Sequence, residues 1–297
     1  MAHTPVLGIF TKNRINPAYA GARLAADRVA AEAGARTIHY VPETPDDVGE
    51  QKALIRQAIS AGVDAVALNP ADDKRMVEDL ERLAAARIPV AVFINQMAGP
   101  ALTFVGSDDQ AIGRRTASAL FASLAGEGVV VGLEGLPTAP TSRARVVGLR
   151  DAVTRFARIQ LVDMAVGEML QVPARRAMAA LLARHPQIDG VWAANDLMAI
   201  GALEALTEAG RTAKVVGING LPAAIEHIER GTMVASADFS AFNIAAIATR
   251  ALLRHLAGQP VPREILTTAE LIDRSNYARW KVPFEQRPCP AWEEFVQ

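Results

Sequence analysis

Cysteine is almost absent: Cys289 is the single one in 297 residues. No intrachain disulfide can form, and a thiol set between Pro288 and Pro290 reads as packed rather than catalytic. Aromatic residues are scarce at 5%, although 51% of the chain is hydrophobic, so the core must rest mainly on Ala, Val, Leu and Ile. Charge of one sign never accumulates. The formal net charge is −1 and no block of five or more like charges occurs, which argues against a nucleic-acid surface and against a polybasic membrane anchor. No apolar run reaches the roughly 18 residues of a membrane helix. Residues Met1 to Thr4 show neither a basic n-region nor an apolar h-region, so the expectation is either a cytoplasmic chain or one whose leader has been removed.

Catalytic signatures are missing as well. The turn after the first apolar run, TKNRINPAYAG, has no G-x-G-x-x-G, and no P-loop sequence occurs. The nearest approach to a G-x-S-x-G elbow, VGSDD at 105–109, lacks the last glycine. His3, His39, His185, His227 and His255 are scattered, with no metal-ligand spacing. Asp108 and Asp109 are adjacent, and neighbouring carboxylates at a helix start do not face one another, so capping is the expected role. The expectation is a chain that is not an enzyme, with no cofactor and no metal.

What is present is alternation. Strand-like apolar runs fall near 5–11, 36–41, 64–69, 88–94, 103–106, 128–133, 158–164, 190–194, 214–218 and 233–237. Runs of this kind suit strands covered on both faces, as in parallel sheets. The segments between them fit helices. In DDKRMVEDLERLAAARI, Met76, Val77, Leu80, Leu83 and Ala84 recur at three- and four-residue steps, with Asp72 or Asp73 as a candidate cap. Pro186 stops one helix, and Gly34 and Gly210 sit where two others should end. The β-α order runs through the first hundred residues and restarts near Gly128. With the length, this implies an α/β fold of two doubly wound lobes.

In an open parallel sheet, ligands bind outside the carboxyl ends of the strands. The β-to-α junctions therefore form one set: Lys12, Asn13, Asn16 and Tyr19; Asn95; Arg143 and Arg145; Asn195; Asn219; Asp238 and Phe239. An amide donates and accepts in one group. Several amides with an arginine and a carboxylate suit a neutral ligand dense in hydroxyls, and Tyr19 or Phe239 would cover the C–H face of a sugar. Taken singly, each has a plainer role. An Asn at a strand-to-helix junction is usually a cap or turn residue, Asp196 would cap the helix that follows it, Tyr19 would be core, and Arg143 a solvated charge.

Five stretches carry a resemblance: INPAYAGARLAADRVAAEAG (15–34), AGVDAVALNPAD (61–72), FVGSDDQAIGRRTA (104–117), GVWAANDLMAIGALEAL (190–206) and KVVGINGLPAAIEHIERGTMVAS (214–236). Together they resemble the type I periplasmic sugar-binding proteins, the ribose/galactose-type solute receptors of ABC importers. The resemblance implies two Rossmann-like lobes joined by three crossings, a ligand clamped between them by hinge closure, and an ABC permease as partner. Crossings would fall near 107–108, 238–239 and 267–269. The lobes would comprise 1–107 plus 239–267, and 108–238 plus 268–297. The implied ligand set is Asn16 and Tyr19 with Ala18 at a commonly aromatic position, Asn95 where a carboxylate is usual, Arg143 with Arg145 as the alternative, and Met169 at another aromatic position. It continues with Asn195, with Asn219 in place of an aspartate, and with Phe239 or Asp238. Fewer carboxylates and fewer rings imply a small sugar or polyol other than ribose, bound by a periplasmic monomer with no nucleic-acid partner. The alternative is the effector domain of a LacI-type regulator, which would need a headpiece ahead of Pro5. The tail 275–297, with Trp280, Phe284 and Trp292, is expected to pack on a lobe.

Overall fold

The computed structural model describes residues 3–296. Its strands are β1 (Val6–Phe10), β2 (Arg36–Tyr40), β3 (Ala65–Leu68), β4 (Val90–Phe93), β5 (Thr103–Ser107), β6 (Glu127–Glu134), β7 (Arg158–Val166), β8 (Gly190–Ala193), β9 (Lys214–Ile218), β10 (Ala235–Asp238), β11 (Glu264–Thr267) and β12 (Glu270–Asp273). The helices are α1 (Pro17–Glu32), α2 (Val48–Ser60), α3 (Val77–Ala85), α4 (Asp109–Ser123), α5 (Pro140–Val153), α6 (Gln171–Arg184), α7 (Asp196–Glu208), α8 (Pro222–Arg230) and α9 (Ala241–Leu256). All ten anticipated strands form. The additional β11 and β12 lie at sheet edges, and β11 alternates exposed and buried residues, so neither offers the continuous apolar run of a doubly covered strand.

Two sheets result, ordered β2-β1-β3-β4-β5-β11 and β7-β6-β8-β9-β10-β12. Every pairing is parallel except β10 with β12. Parallel strands buried on both faces need unbroken apolar sequence, and AVAL in β3 and VAVF in β4 are buried along their whole length. Each sheet with its helices forms one compact unit. The first holds the chain up to Ser107, Ser240–Thr267 and the tail from Pro283; the second holds Asp108–Phe239 and Thr268–Val282.

In the first unit, Phe10, Ile55, Leu68, Met76, Leu80 and Leu83 form the centre of the core. The apolar stripe expected on α3 is narrower than its spacing suggested, because Val77 is half-buried and Ala84 exposed. Asp72 accepts from the backbone N–H of Lys74 and Arg75, so it caps the turn that leads into α3 rather than the helix itself. Gly34 and Gly210 do close α1 and α7, at φ 69° and 62°, where a side chain would be strained.

In the second unit the Trp192 indole is fully buried and donates to Thr116 Oγ1 at 3.0 Å. Helices α4 and α5 meet at glycines. A Cβ on Gly113 would lie 2.1 Å from the Arg145 carbonyl oxygen, and one on Gly148 would lie 2.0 Å from that of Gln110. Both obstacles are backbone and cannot swing aside.

The tail corrects the expected division. Residues 268–282 belong to the second unit, but from Pro283 the chain joins the first, which makes a fourth passage between units beyond the three anticipated. The passage expected at 238–239 falls one residue later, between Phe239 and Ser240. In the second unit, Lys281 pairs with Glu229 at 2.6 Å. In the first, Phe284 stacks on Phe242 with ring centroids 6.0 Å apart, Arg28 donates to the Arg287 carbonyl, and Arg254 lies over the Trp292 ring. Cys289 is half-buried against Ala25, and burial pushes its thiol up.

The α4–α5 contact yields a direct expectation. Gly148→Ala should destabilise the second unit by about 1–3 kcal/mol through overpacking. Urea unfolding measures this, and an unchanged midpoint would contradict the close approach.

Candidate functional site

Both sheets place β1-type and β3-type strands side by side in the order 2-1-3-4-5, and the reversal of winding between those neighbours opens a crevice at their carboxyl ends. In the first unit that point lies between β1 and β3, in the second between β6 and β8. The polar junctions gather at these ends.

In the first unit, β1 runs out into Thr11, Lys12 and Asn13, all buried. Asn13 Oδ1 accepts from the Asn16 N–H at 2.9 Å, and Asn16 Oδ1 accepts from the Ala18 N–H at 3.0 Å, capping α1, with Pro17 at the first helical position. Lys12 Nζ lies 3.2 Å from Asp46 Oδ1, and Asn13 donates to Asp46 Oδ2 at 3.2 Å. Burial pulls the Lys12 ammonium down, but Asp46, joined by Tyr19, outweighs it and holds Lys12 above its ordinary range. Tyr19 packs beside this pair, and burial raises its phenol. Beyond β4 the backbone takes φ 62° at Ile94, a strained value for a β-branched residue. The turn so formed aims Asn95 Nδ2 at the Pro70 carbonyl, 2.9 Å away.

Two groups of this cluster were not anticipated. Asn69, directly after β3, has a fully buried amide with no well-formed hydrogen bond among the described residues, and it lies by Tyr19. Its backbone is held by Gln51, which donates to the Asn69 carbonyl at 2.9 Å and accepts from the Ala71 N–H at 2.7 Å. Asp46 is the second. The signal for Asn69 was present in DAVALNPAD, a polar residue ending an apolar run; for Asp46, in a loop of VPETPDD, sequence spacing gives no sign that it reaches Lys12.

In the second unit, Asn195 caps α7. Its Oδ1 accepts from the Met198 N–H at 2.9 Å, and its Nδ2 donates to the Met169 carbonyl at 2.9 Å, steadying a loop in which Glu168 and Met169 both have positive φ. This corrects the expectation that Asp196 would be the cap. Asp196 is fully buried and points elsewhere: Oδ2 accepts from the Leu221 N–H at 2.8 Å and Oδ1 from Ser236 Oγ at 2.7 Å. Burial pushes its carboxyl up to about 7, although those two hydrogen bonds and Arg145 favour the charged form. Since the folded value exceeds the ordinary one, this group contributes stability below about pH 4 that is lost as pH rises through about 7.

The arginines separate cleanly. Arg143 is exposed and donates to the Pro137 carbonyl at 3.0 Å. Arg145 is buried, 2.7 Å from Asp109 Oδ1 and 2.8 Å from the Ala194 carbonyl, with its guanidinium 5.1 Å from the Phe239 ring centroid. Asp109 is therefore an ion-pair partner rather than a cap, while Asp108 caps α4 by accepting from the Ala111 N–H. Asp238 accepts from the Trp280 indole at 2.8 Å. Asn219 sits at φ 136° with its N–H bonded to the Ala237 carbonyl at 2.8 Å, and its Oδ1 is buried without a hydrogen-bond partner among the described residues.

A cavity of about 490 Å³ in the second unit lies at the opposite edge, by Asp189, Arg211 and Lys214 at the amino ends of β8 and β9. The Arg211 guanidinium there is already spent on the carbonyls of Leu182, His185 and Pro186. Size alone does not make it the site. Among the described residues no cluster of His, Cys, Asp and Glu is suited to a metal, and no helix is long and apolar enough to cross a membrane.

This architecture has clear relatives. The periplasmic binding protein domain family matches residues 7–260, and the chain belongs to it. It is 29% identical to the ribose import binding protein of Bacillus subtilis over 89% of this chain and 86% of that one. It is 30% identical to the D-ribose/D-allose-binding protein of Pseudomonas aeruginosa over 76% and 75%. Among solved structures, a periplasmic solute-binding protein of an ABC transporter from Actinobacillus succinogenes with bound D-allose superposes with a TM-score of 0.88 at 25% identity, covering 93% of this chain and 100% of that one. A solute-binding protein from Mycobacterium smegmatis with bound glycerol gives 0.88 at 28% identity, covering 93% and 96%.

The contrast between the arginines is testable. Arg145→Ala leaves Asp109 buried and unpaired and should cost about 3–5 kcal/mol of stability. Arg143→Ala should stay within about 0.5 kcal/mol of the wild type. Equal losses in denaturant unfolding would contradict the assignment of Arg145 to packing.

Proposed function

We propose that this chain is a periplasmic solute receptor of an ABC importer that holds a small neutral sugar or polyol at the carboxyl ends of its parallel strands. It works as a monomer, delivers its ligand to a permease and catalyses no reaction. The observation that carries this reading is the stock of amides at those ends. The Asn16 side chain spends one hydrogen bond on local structure and that of Asn195 two, while an amide offers up to four. The unspent capacity, with Asn219 Oδ1, which has no hydrogen-bond partner among the described residues, matches hydroxyls that both donate and accept.

The remaining anticipated groups divide by environment. Lys12, Asn13 and Tyr19 form a polar patch neutralised by Asp46, which favours an uncharged ligand over a sugar acid. Arg143 is an exposed cation at the start of α5 that also holds the Pro137 carbonyl, and Met169, Asp238 and Phe239 complete the second unit's edge. The relatives' names, with ribose, allose and glycerol among the molecules they bind, support the same chemical class.

A thermal-shift and calorimetric screen with D-ribose, D-allose, D-apiose and glycerol tests the proposal. At least one should bind and raise the melting temperature, and Asn219→Ala should weaken it by about 1–3 kcal/mol with little change in unliganded stability. No shift with any sugar or polyol would overturn the reading.

A further inference from the structure

Asp196 is the most deeply buried acid among the described residues of the second unit, and neither capping nor ligand contact explains it. Its two oxygens reach two different elements. Oδ2 holds the Leu221 N–H ahead of α8, and Oδ1 holds Ser236 Oγ on β10. The Ser236 hydroxyl in turn accepts from the Gly220 N–H at 3.1 Å. Successive backbone N–H groups, Gly220 and Leu221, are thus tied to one carboxylate, directly and through the serine. The residue just before them is Asn219, at φ 136°. On its other side Gly217 leaves room for the carboxylate, since a Cβ there would come within 2.3 Å of Asp196 Oδ1.

We propose that Asp196 is the positioning residue of the second unit's edge, clamping the β9–α8 turn so that Asn219 presents its unpaired Oδ1 to a ligand. This rests on the reading of Asn219 as a ligand group. Asn219 itself is fixed by its N–H on the Ala237 carbonyl, while its Oδ1 has no hydrogen-bond partner among the described residues, so the path of the turn after it is set by Gly220 and Leu221. The clamp needs two acceptors, so it is complete only when the carboxylate is ionised. Protonation makes one oxygen a donor, and the Ser236 hydroxyl must then reorient. The charged groups facing Asp196 are Asp238, at the end of β10, which resists ionisation, and Arg145, on α5, which favours it. With burial, they set the carboxyl to change state near neutrality. Affinity should therefore rise with pH through about 7.

The test uses the full chain as wild type, Asp196→Asn and Asp196→Ala, titrated with D-ribose, D-allose and glycerol between about pH 5 and about pH 9. Asp196→Asn keeps the shape and imitates the protonated clamp. It should bind more weakly than wild type above neutrality and show a flat pH profile, and Asp196→Ala should lose about tenfold or more. In the ligand-free wild type, the backbone amide resonances of Asn219, Gly220 and Leu221 should titrate together, and in Asp196→Asn they should not. Amides that titrate independently or not at all, or an Asp196→Asn variant with wild-type affinity and pH dependence, would overturn the proposal. If the wild type binds none of the three probes, the receptor reading is in question, and the amide titration still decides whether Asp196 clamps the turn.

Discussion

Parallel pairing sends every β-to-α junction of a unit to one edge of its sheet. Residues that are far apart in the chain, such as Asn16 and Asn95, or Asn195 and Asn219, share an edge for this reason alone. The central strands are mostly apolar, with few exceptions such as the hydrogen-bonded Ser236 of β10, so polarity resumes in the first residues past each strand. Four-residue strands such as AVAL and GVWA place that transition sharply. Chemistry at the edge is then a matter of which side chains remain unspent after the backbone's own demands are met.

Those demands are considerable. Each helix begins with N–H groups that need acceptors, and Asn16 and Asn195 supply them. Asn95 and Asn195 also donate to carbonyls of neighbouring loops. These amides fix the loops, and Asn16 and Asn195 hold back part of their hydrogen-bonding capacity at once. Strain accompanies them: Ile94 in the first unit, and Met169 and Asn219 in the second, take positive φ past their strands. Such backbone persists only where surrounding bonds over-determine it; at Asn219 the N–H holds the Ala237 carbonyl, and the next two N–H groups are held by Ser236 and Asp196.

Much of the fold was legible because it rests on local pattern. Apolar runs located ten strands, and glycines at 34 and 210 marked helix ends. The edge strands β11 and β12 were not legible, since one open side removes the need for continuous hydrophobicity. The junction amides were found for the same local reason. What sequence could not settle was direction. Asn195 and Asp196 are neighbours, and either could cap a helix; only the fold shows Asp196 turned toward Ser236 and Asn195 toward Met198. Arg143 and Arg145 differ by two positions on one helix, so one faces water and the other Asp109. Asp46 and the path of the tail onto α1 and α9 depend on contacts remote in sequence, which periodicity does not encode.

We propose above all that the amides at the strand carboxyl ends hold a neutral polyhydroxyl ligand. A crystal structure of the chain grown with whichever of D-ribose, D-allose, D-apiose or glycerol binds tests it most directly. The expected result is density for the ligand against Asn219 Oδ1, at the carboxyl ends of the second unit's strands. Density instead at the amino-end cavity beside Arg211 and Lys214, with the strand carboxyl ends bare, would contradict it.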